Sequence, residues 1–177
     1  MKNKINILVP FIAVTILVAC NKNNGYPDGE GTVSFNGEPW KAKVTWGGIS
    51  SHASTALDIN LGFDKLNYKS GLILYSVEKI YGLQRLKSTN YDSLNIVHAV
   101  FHSAQEYDVT GDEYEVYDAD STNNWVEITS AEDNFTKEIH GKFSVTMVKT
   151  KGFGGSPFPD TVRFTNGSFY ISKLRYL

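Results

Sequence analysis

From Gly31 onward, apolar residues recur at nearly every second position. That is the period of a β-strand with one buried and one wetted face. The clearest case is 55–63, where Leu57, Ile59, Leu61 and Phe63 point one way and Asp58, Asn60 and Gly62 the other. The same alternation predicts strands over 32–36, 41–46, 94–104, 113–117, 125–129 and 137–149. Residues 71–79 are apolar on both faces, as in a central strand covered on both sides, and 81–87 form a further short strand. Asn36-Gly37 is a hairpin signal. Asn166-Gly167 predicts a second, closing hairpin between 161–165 and 168–176, with Phe169 and Ile171 inward. Gly- and Ser-rich or polar stretches at 47–54, 88–93, 118–124 and 150–159 read as loops and turns. The chain is therefore expected to be all-β: an antiparallel β-sandwich or flattened barrel of about nine or ten short strands, with no substantial helix.

The first 20 residues read differently. Lys2 and Lys4 precede an apolar run, 5–18, broken only by Asn6, Pro10 and Thr15. The run is short and interrupted for a membrane span and has the architecture of a secretory leader. It ends in Leu17-Val18-Ala19-Cys20, which resembles the lipobox of bacterial lipoproteins. That resemblance implies cleavage before Cys20, a diacylglycerol on its sulfur and acylation of the new amino terminus. At about 0.8 kcal/mol per buried CH2, more than one acyl chain makes a stable anchor. Cys20 is the sole cysteine of the chain, so no disulfide is available and lipidation accounts for it. The expected organisation is a signal peptide over 1–19, the lipidated cysteine and a flexible Gly/Asn-rich tether over 20–31, and a single β domain over 32–177. Asn21 is not the aspartate of inner-membrane retention, which points to the outer membrane. The periplasmic and the surface-facing side both stay open.

Without the leader the chain keeps 177 − 19 = 158 residues, enough for one domain with its own core. The leader removes two of the 17 lysines and arginines, so the remaining formal charge is 15 − 19 = −4. No basic patch of the kind nucleic acids require is present. Aromatic residues reach 13%, a composition suited to pleated, half-buried surfaces.

In the second half, Trp125-Val126-Glu127-Ile128-Thr129, Ile139-His140-Gly141-Lys142-Phe143-Ser144-Val145 and Val162-Arg163-Phe164-Thr165-Asn166-Gly167-Ser168-Phe169 follow one another. This series resembles small uncharacterised lipoproteins of Bacteroidota, whose all-β domain ends in a "G-x-F" strand and a closing "T-N-G-x-F" hairpin. The opening Phe35-Asn36-Gly37-Glu38-Pro39-Trp40-Lys41-Ala42 fits the same group. The resemblance implies a fold and brings no catalytic residues with it. Three steps, Asp92-Ser93, Asp120-Ser121 and Asp160-Thr161, resemble the O-glycosylation signal of exported proteins in that phylum. Ser93, Ser121 and Thr161 are the candidate attachment sites.

Constellations that carry chemistry are sparse. His98 and His102 would share a face of a strand, about 13 Å apart at 3.3 Å per residue, too far for one zinc. Seven acids, Glu106, Asp108, Asp112, Glu113, Glu115, Asp118 and Asp120, crowd one segment. They suit either a calcium site or the solvated face of a hairpin. No G-x-S-x-G elbow and no phosphate loop is present. Trp40 is expected in the core, and Trp46, beside Gly47-Gly48, is the candidate exposed aromatic for stacking on a ligand. The sequence thus leads to a non-enzymatic outer-membrane lipoprotein without cofactor or catalytic residues. Its expected partners are the membrane, through Cys20, and a protein or glycan. The alternatives are a barrel that holds lipid or glycan in an internal cavity, and an envelope polysaccharide hydrolase.

Overall fold

The computed structural model describes residues 29–50, 55–66, 70–89, 96–106, 109–152, 158–172 and 174. Cys20 and Ser93 lie outside them, as does the side chain of Trp46. The ten strands are β1 (Gly29–Phe35), β2 (Glu38–Ile49), β3 (Ala56–Phe63), β4 (Gly71–Glu78), β5 (Gly82–Arg85), β6 (His98–Glu106), β7 (Val109–Val116), β8 (Trp125–Ala131), β9 (Ile139–Lys151) and β10 (Thr161–Ile171). Single 3-10 turns at Asp64–Leu66 and Asp118–Asp120 are the helical pieces among the described residues.

The chain is all-β, and its pairing closes on itself. Strands β1, β2, β3, β4, β6, β7, β9 and β10 follow one another, and β10 pairs back onto β1. That is an eight-stranded antiparallel barrel, with β8 added on β9 and β5 on β8. The register shows how it is sheared. From His140 on β9 the ladder runs through Tyr170, Glu30, Lys43, Gly62, Gly71, His102 and Glu113 and returns to β9 at Lys151. The slip is 151 − 140 = 11 residues, including the extra residue of a bulge between Glu113 and Tyr114. A stagger of this size tilts strands by roughly 40° and leaves an interior that side chains can fill.

They do fill it. Phe101, fully buried, has its ring centroid within 5.1–6.4 Å of those of Phe35, Phe63, Tyr114, Phe158 and Phe164. Trp40 stacks on Phe35 at 4.1 Å and is buried, as its position after the first hairpin suggested. The inward set of β3 is the one its alternation predicts, Leu57, Ile59, Leu61 and Phe63.

β9 changes partner along its length. Its first half pairs with β8 and its second half with β7. At the change-over neither strand meets the Thr146 N–H, which instead donates to Oδ1 of the fully buried Asn124 at 2.8 Å. Nδ2 of Asn124 donates to the Tyr117 carbonyl at 2.8 Å. One side chain on the β7–β8 connection therefore stands in for the missing rung.

Two sequence expectations need correction. β2 does not stop at Trp46: Gly47 and Gly48 pair with Ile59 and Asp58, because β3 is long enough to carry them. Asn166-Gly167 is not a hairpin. β10 runs straight through it, with Asn166 at φ 52° inside a bulge between Phe164 and Gly167. A left-handed Asn followed by Gly serves a bulge as readily as a turn. Here β1 and β9 pair with β10 on both sides of it, so the chain cannot reverse.

The connections sort onto two ends. The start of β1, the end of β10 and the β2–β3, β4–β5 and β8–β9 connections lie at one end. The β1–β2, β3–β4, β6–β7 and β9–β10 connections lie at the other, where an inward ion pair, Lys149 Nζ to Asp112 Oδ2 at 2.7 Å, sits beneath the aromatic core.

Candidate functional site

The outer wall carries a trough of about 1020 Å3 across five neighbouring strands, β2, β1, β10, β9 and β8. Two registers build it. Lys41, Thr32, Ser168, Lys142 and Glu127 form one rung across the strands; Lys43, Glu30, Tyr170, His140 and Ser130 form the next. Within a rung, side chains of neighbouring strands share a face. The centre of the first rung is short and polar, with the Thr32 and Ser168 hydroxyls 3.0 Å apart. Its flanks are the long lysines Lys41 and Lys142, whose Cα atoms are about 14 Å apart at 4.8 Å per strand. Short residues between long ones make a trough. Neither lysine forms an ion pair among the described residues.

Glycine lets the wall bend here. A Cβ on Gly31 would lie 2.3 Å from the Ser168 carbonyl oxygen, and one on Gly141 would lie 2.1 Å from the Phe169 ring. At Gly31 the neighbouring strand's backbone, and at Gly141 the Phe169 ring together with the Glu127 carbonyl oxygen at 2.7 Å, takes the space a side chain would fill.

The second rung adds rings and a carboxylate. The His140 imidazole and Tyr170 phenol lie 4.7 Å apart at 33°. Tyr170 Oη donates to the Glu138 carboxylate at 3.0 Å, and this bond, with burial and the nearby acids, holds the phenol above its usual pKa. The trough therefore offers the Lys41 and Lys142 ammonium groups over a hydroxyl floor at one level, and Lys43, Glu30 and an aromatic pair at the next. Ammonium groups hydrogen-bond anionic oxygens strongly, hydroxyls bind sugars or anions as donors and acceptors, and ring faces take the C–H side of a sugar.

The residues singled out from the sequence lie elsewhere. Ser121 is exposed in the turn after Asp118–Asp120, and its carbonyl accepts from Arg85 Nη1 at 3.0 Å. Thr161 is half-buried at the start of β10, opposite Val148. His98 and His102 do share a face of β6, but His98 stacks on Tyr75 at 4.7 Å. Burial pushes the His102 pKa down, against Glu113 and with Lys151. Among the described residues no group of three or more His, Cys, Asp and Glu is placed to hold a metal ion. The described acids of the 106–120 segment disperse. Asp112 pairs with Lys149, Glu113 with Lys151 at 3.3 Å, and Asp118 accepts from Ser88. Asp120 accepts from Thr146 at 2.6 Å and Asn123 at 2.7 Å, which pulls its carboxyl below the usual range. None of this predicts the trough, because its rungs join residues more than a hundred positions apart. No family model, curated protein or solved structure matches this chain.

Proposed function

We propose that the protein is a non-enzymatic lipoprotein of the outer membrane, a β-barrel held by acyl chains on Cys20 that binds an acidic glycan of the cell envelope in the trough of its outer wall. The observation that carries the binding assignment is the first rung, Lys41–Thr32–Ser168–Lys142. Cationic flanks on a chain whose remaining charge is negative are a local feature, and they flank the hydroxyls that a saccharide would meet. The Tyr170–His140 pair beside it adds a ring surface. The lipobox supports the anchor. A ligand held inside the barrel has less support, since the aromatic rings around Phe101 occupy that space.

The test uses the full lipidated chain with a uronic-acid oligosaccharide and its carboxyl-reduced, neutral counterpart, by calorimetry. The acidic probe should bind better, and Lys41→Ala/Lys142→Ala should weaken it about tenfold or more, the loss expected for contacts to a charged group. Equal binding of the two probes, or an unchanged double variant, refutes the assignment of the trough. The anchor is tested separately by fatty-acid labelling: Cys20→Ala should abolish it, and retained label refutes lipidation.

A further inference from the structure

The β4–β5 turn and β5 carry the most exposed large apolar side chains among the described residues: Ile80 at 51%, Tyr81 at 61% and Leu83 at 53%. Ile80 and Tyr81 lie in the β4–β5 turn, and Leu83 follows on β5, the last strand of the sheet order. Isolated exposed apolar residues need no explanation; a projecting group of three does.

The group is held firmly. The Tyr81 hydroxyl donates to the Ala131 carbonyl at 3.1 Å, and its ring lies 5.3 Å from that of the buried Phe135. Phe135 ends a run of three left-handed residues, Asp133 (φ 45°), Asn134 (φ 54°) and Phe135 (φ 64°). For a bulky residue this conformation is an outlier that persists only where the surroundings impose it. The β8–β9 turn is thus bent so that Phe135 sits beneath Tyr81 and the apolar tip stands out.

The position of the tip completes the argument. Gly29, where β1 begins, pairs with Ile171; Ile171 pairs with Ile139, and Ile139 with Ala131, the residue that accepts from Tyr81. The start of the described chain and the apolar tip are therefore at the same end of the barrel. Only eight residues lie between Cys20 and Gly29, and the nine steps from one to the other span at most about 30 Å. An acyl group on Cys20 would attach the chain to the bilayer at this end of the barrel.

We infer that Ile80, Tyr81 and Leu83 insert into the lipid–water interface of the membrane that holds the anchor, so that the barrel stands on its β4–β5 tip. This rests on the lipidation of Cys20 proposed above. Tyrosine suits such a place, with an apolar body and a polar tip. The surrounding turns carry acids as well as lysines, Glu132, Asp133 and Glu138 against Lys79 and Lys137. The attraction is therefore apolar and does not weaken with salt. The trough then opens sideways, parallel to the membrane surface and near it.

When Cys20 carries lipid, an introduced cysteine is the one free thiol of the chain. The full lipidated chain is made as Leu83→Cys and, separately, as Glu38→Cys, an exposed position at the opposite end. Each is labelled with an environment-sensitive fluorophore and reconstituted into phosphatidylethanolamine/phosphatidylglycerol vesicles containing a lipid with a shallow nitroxide. The label at 83 should be quenched several-fold more than the label at 38, equally at low and high salt, and Ile80→Asp added to Leu83→Cys should reduce that quenching. Equal quenching at the two positions, in protein that floats with the vesicles and has the lipid mass, overturns the inference and leaves the anchor standing. Protein that lacks the lipid mass and stays off the vesicles overturns both. Unchanged circular dichroism and melting of each variant establish that the fold is intact.

Discussion

Truncating Phe101 to alanine tests whether the barrel is filled or hollow. The ring is fully buried and faces five others at centroid distances of 5.1–6.4 Å. Phe→Ala in a packed core costs about 3–5 kcal/mol, from lost transfer energy together with a cavity term of about 24 cal/mol per Å3. The neighbours belong to β1, β3, β7, β10 and the β9–β10 connection. Four of the five backbones are fixed by a closed ring of pairings, so the space collapses little and the loss should fall in the upper part of that range. For a domain of this size it corresponds to a fall in Tm of roughly 10–20 °C. Urea unfolding followed by circular dichroism gives the free energy, with the slope compared to wild type to establish that the unfolded reference has not changed. Phe101→Leu, which keeps most of the volume, should cost less than half as much. A loss below about 1 kcal/mol for Phe101→Ala would refute the reasoning, because it would mean the ring stood beside empty space that a ligand normally occupies. Restoration of wild-type Tm in Phe101→Ala by a small apolar compound such as benzene would agree with a cavity made by the substitution.

Two further changes probe other parts of the ring. Asn124→Ala removes the acceptor of the buried Thr146 N–H and the donor to Tyr117, and an unsatisfied buried group costs about 1–3 kcal/mol; urea unfolding should show that loss, and a cost under about 0.5 kcal/mol would mean that β9 needs no substitute rung. His102 is held below its ordinary value of 6.5 by burial, so the folded state binds the proton less readily than the unfolded chain, and stability that is full above pH 6.5 falls as the pH drops through the lowered folded value. His102→Gln should flatten that part of the Tm–pH curve relative to wild type; parallel curves would contradict it. Burial raises the Glu115 carboxyl, which acts in the opposite sense, so the comparison of variant with wild type carries the information.

Local pattern revealed most of the strands because burial in a barrel wall alternates residue by residue. Leu57, Ile59, Leu61 and Phe63 are inward for the reason their spacing implies, and Asn36 at φ 49° with Gly37 at φ 91° turns the first hairpin as that dipeptide suggests. Asn166-Gly167 has the same local chemistry and a different outcome, since its neighbours on β1 and β9 come from far along the chain. The barrel itself was not legible for the same reason: a sandwich and a closed ring use the same strands, and the β1–β10 pairing decides between them. The trough is more remote still from local pattern. Lys41, Thr32, Ser168 and Lys142 are ordinary outward residues one at a time, and become a site only when three strand pairings bring them into one rung.

The seam between β1 and β10 also sets an order of events. The Thr32 and Ser168 hydroxyls that meet across it are 136 positions apart, and closing so distant a pair must follow the ordering of almost everything between them. During synthesis the first strand emerges long before its partner exists. Until the last strand arrives, β1 has β2 for company on one side and an open edge on the other, an edge available to any passing strand. The chain is therefore exposed to mispairing for as long as its final residues are missing. Loss of β10 would leave β1 and β9 as open edges that can pair from molecule to molecule.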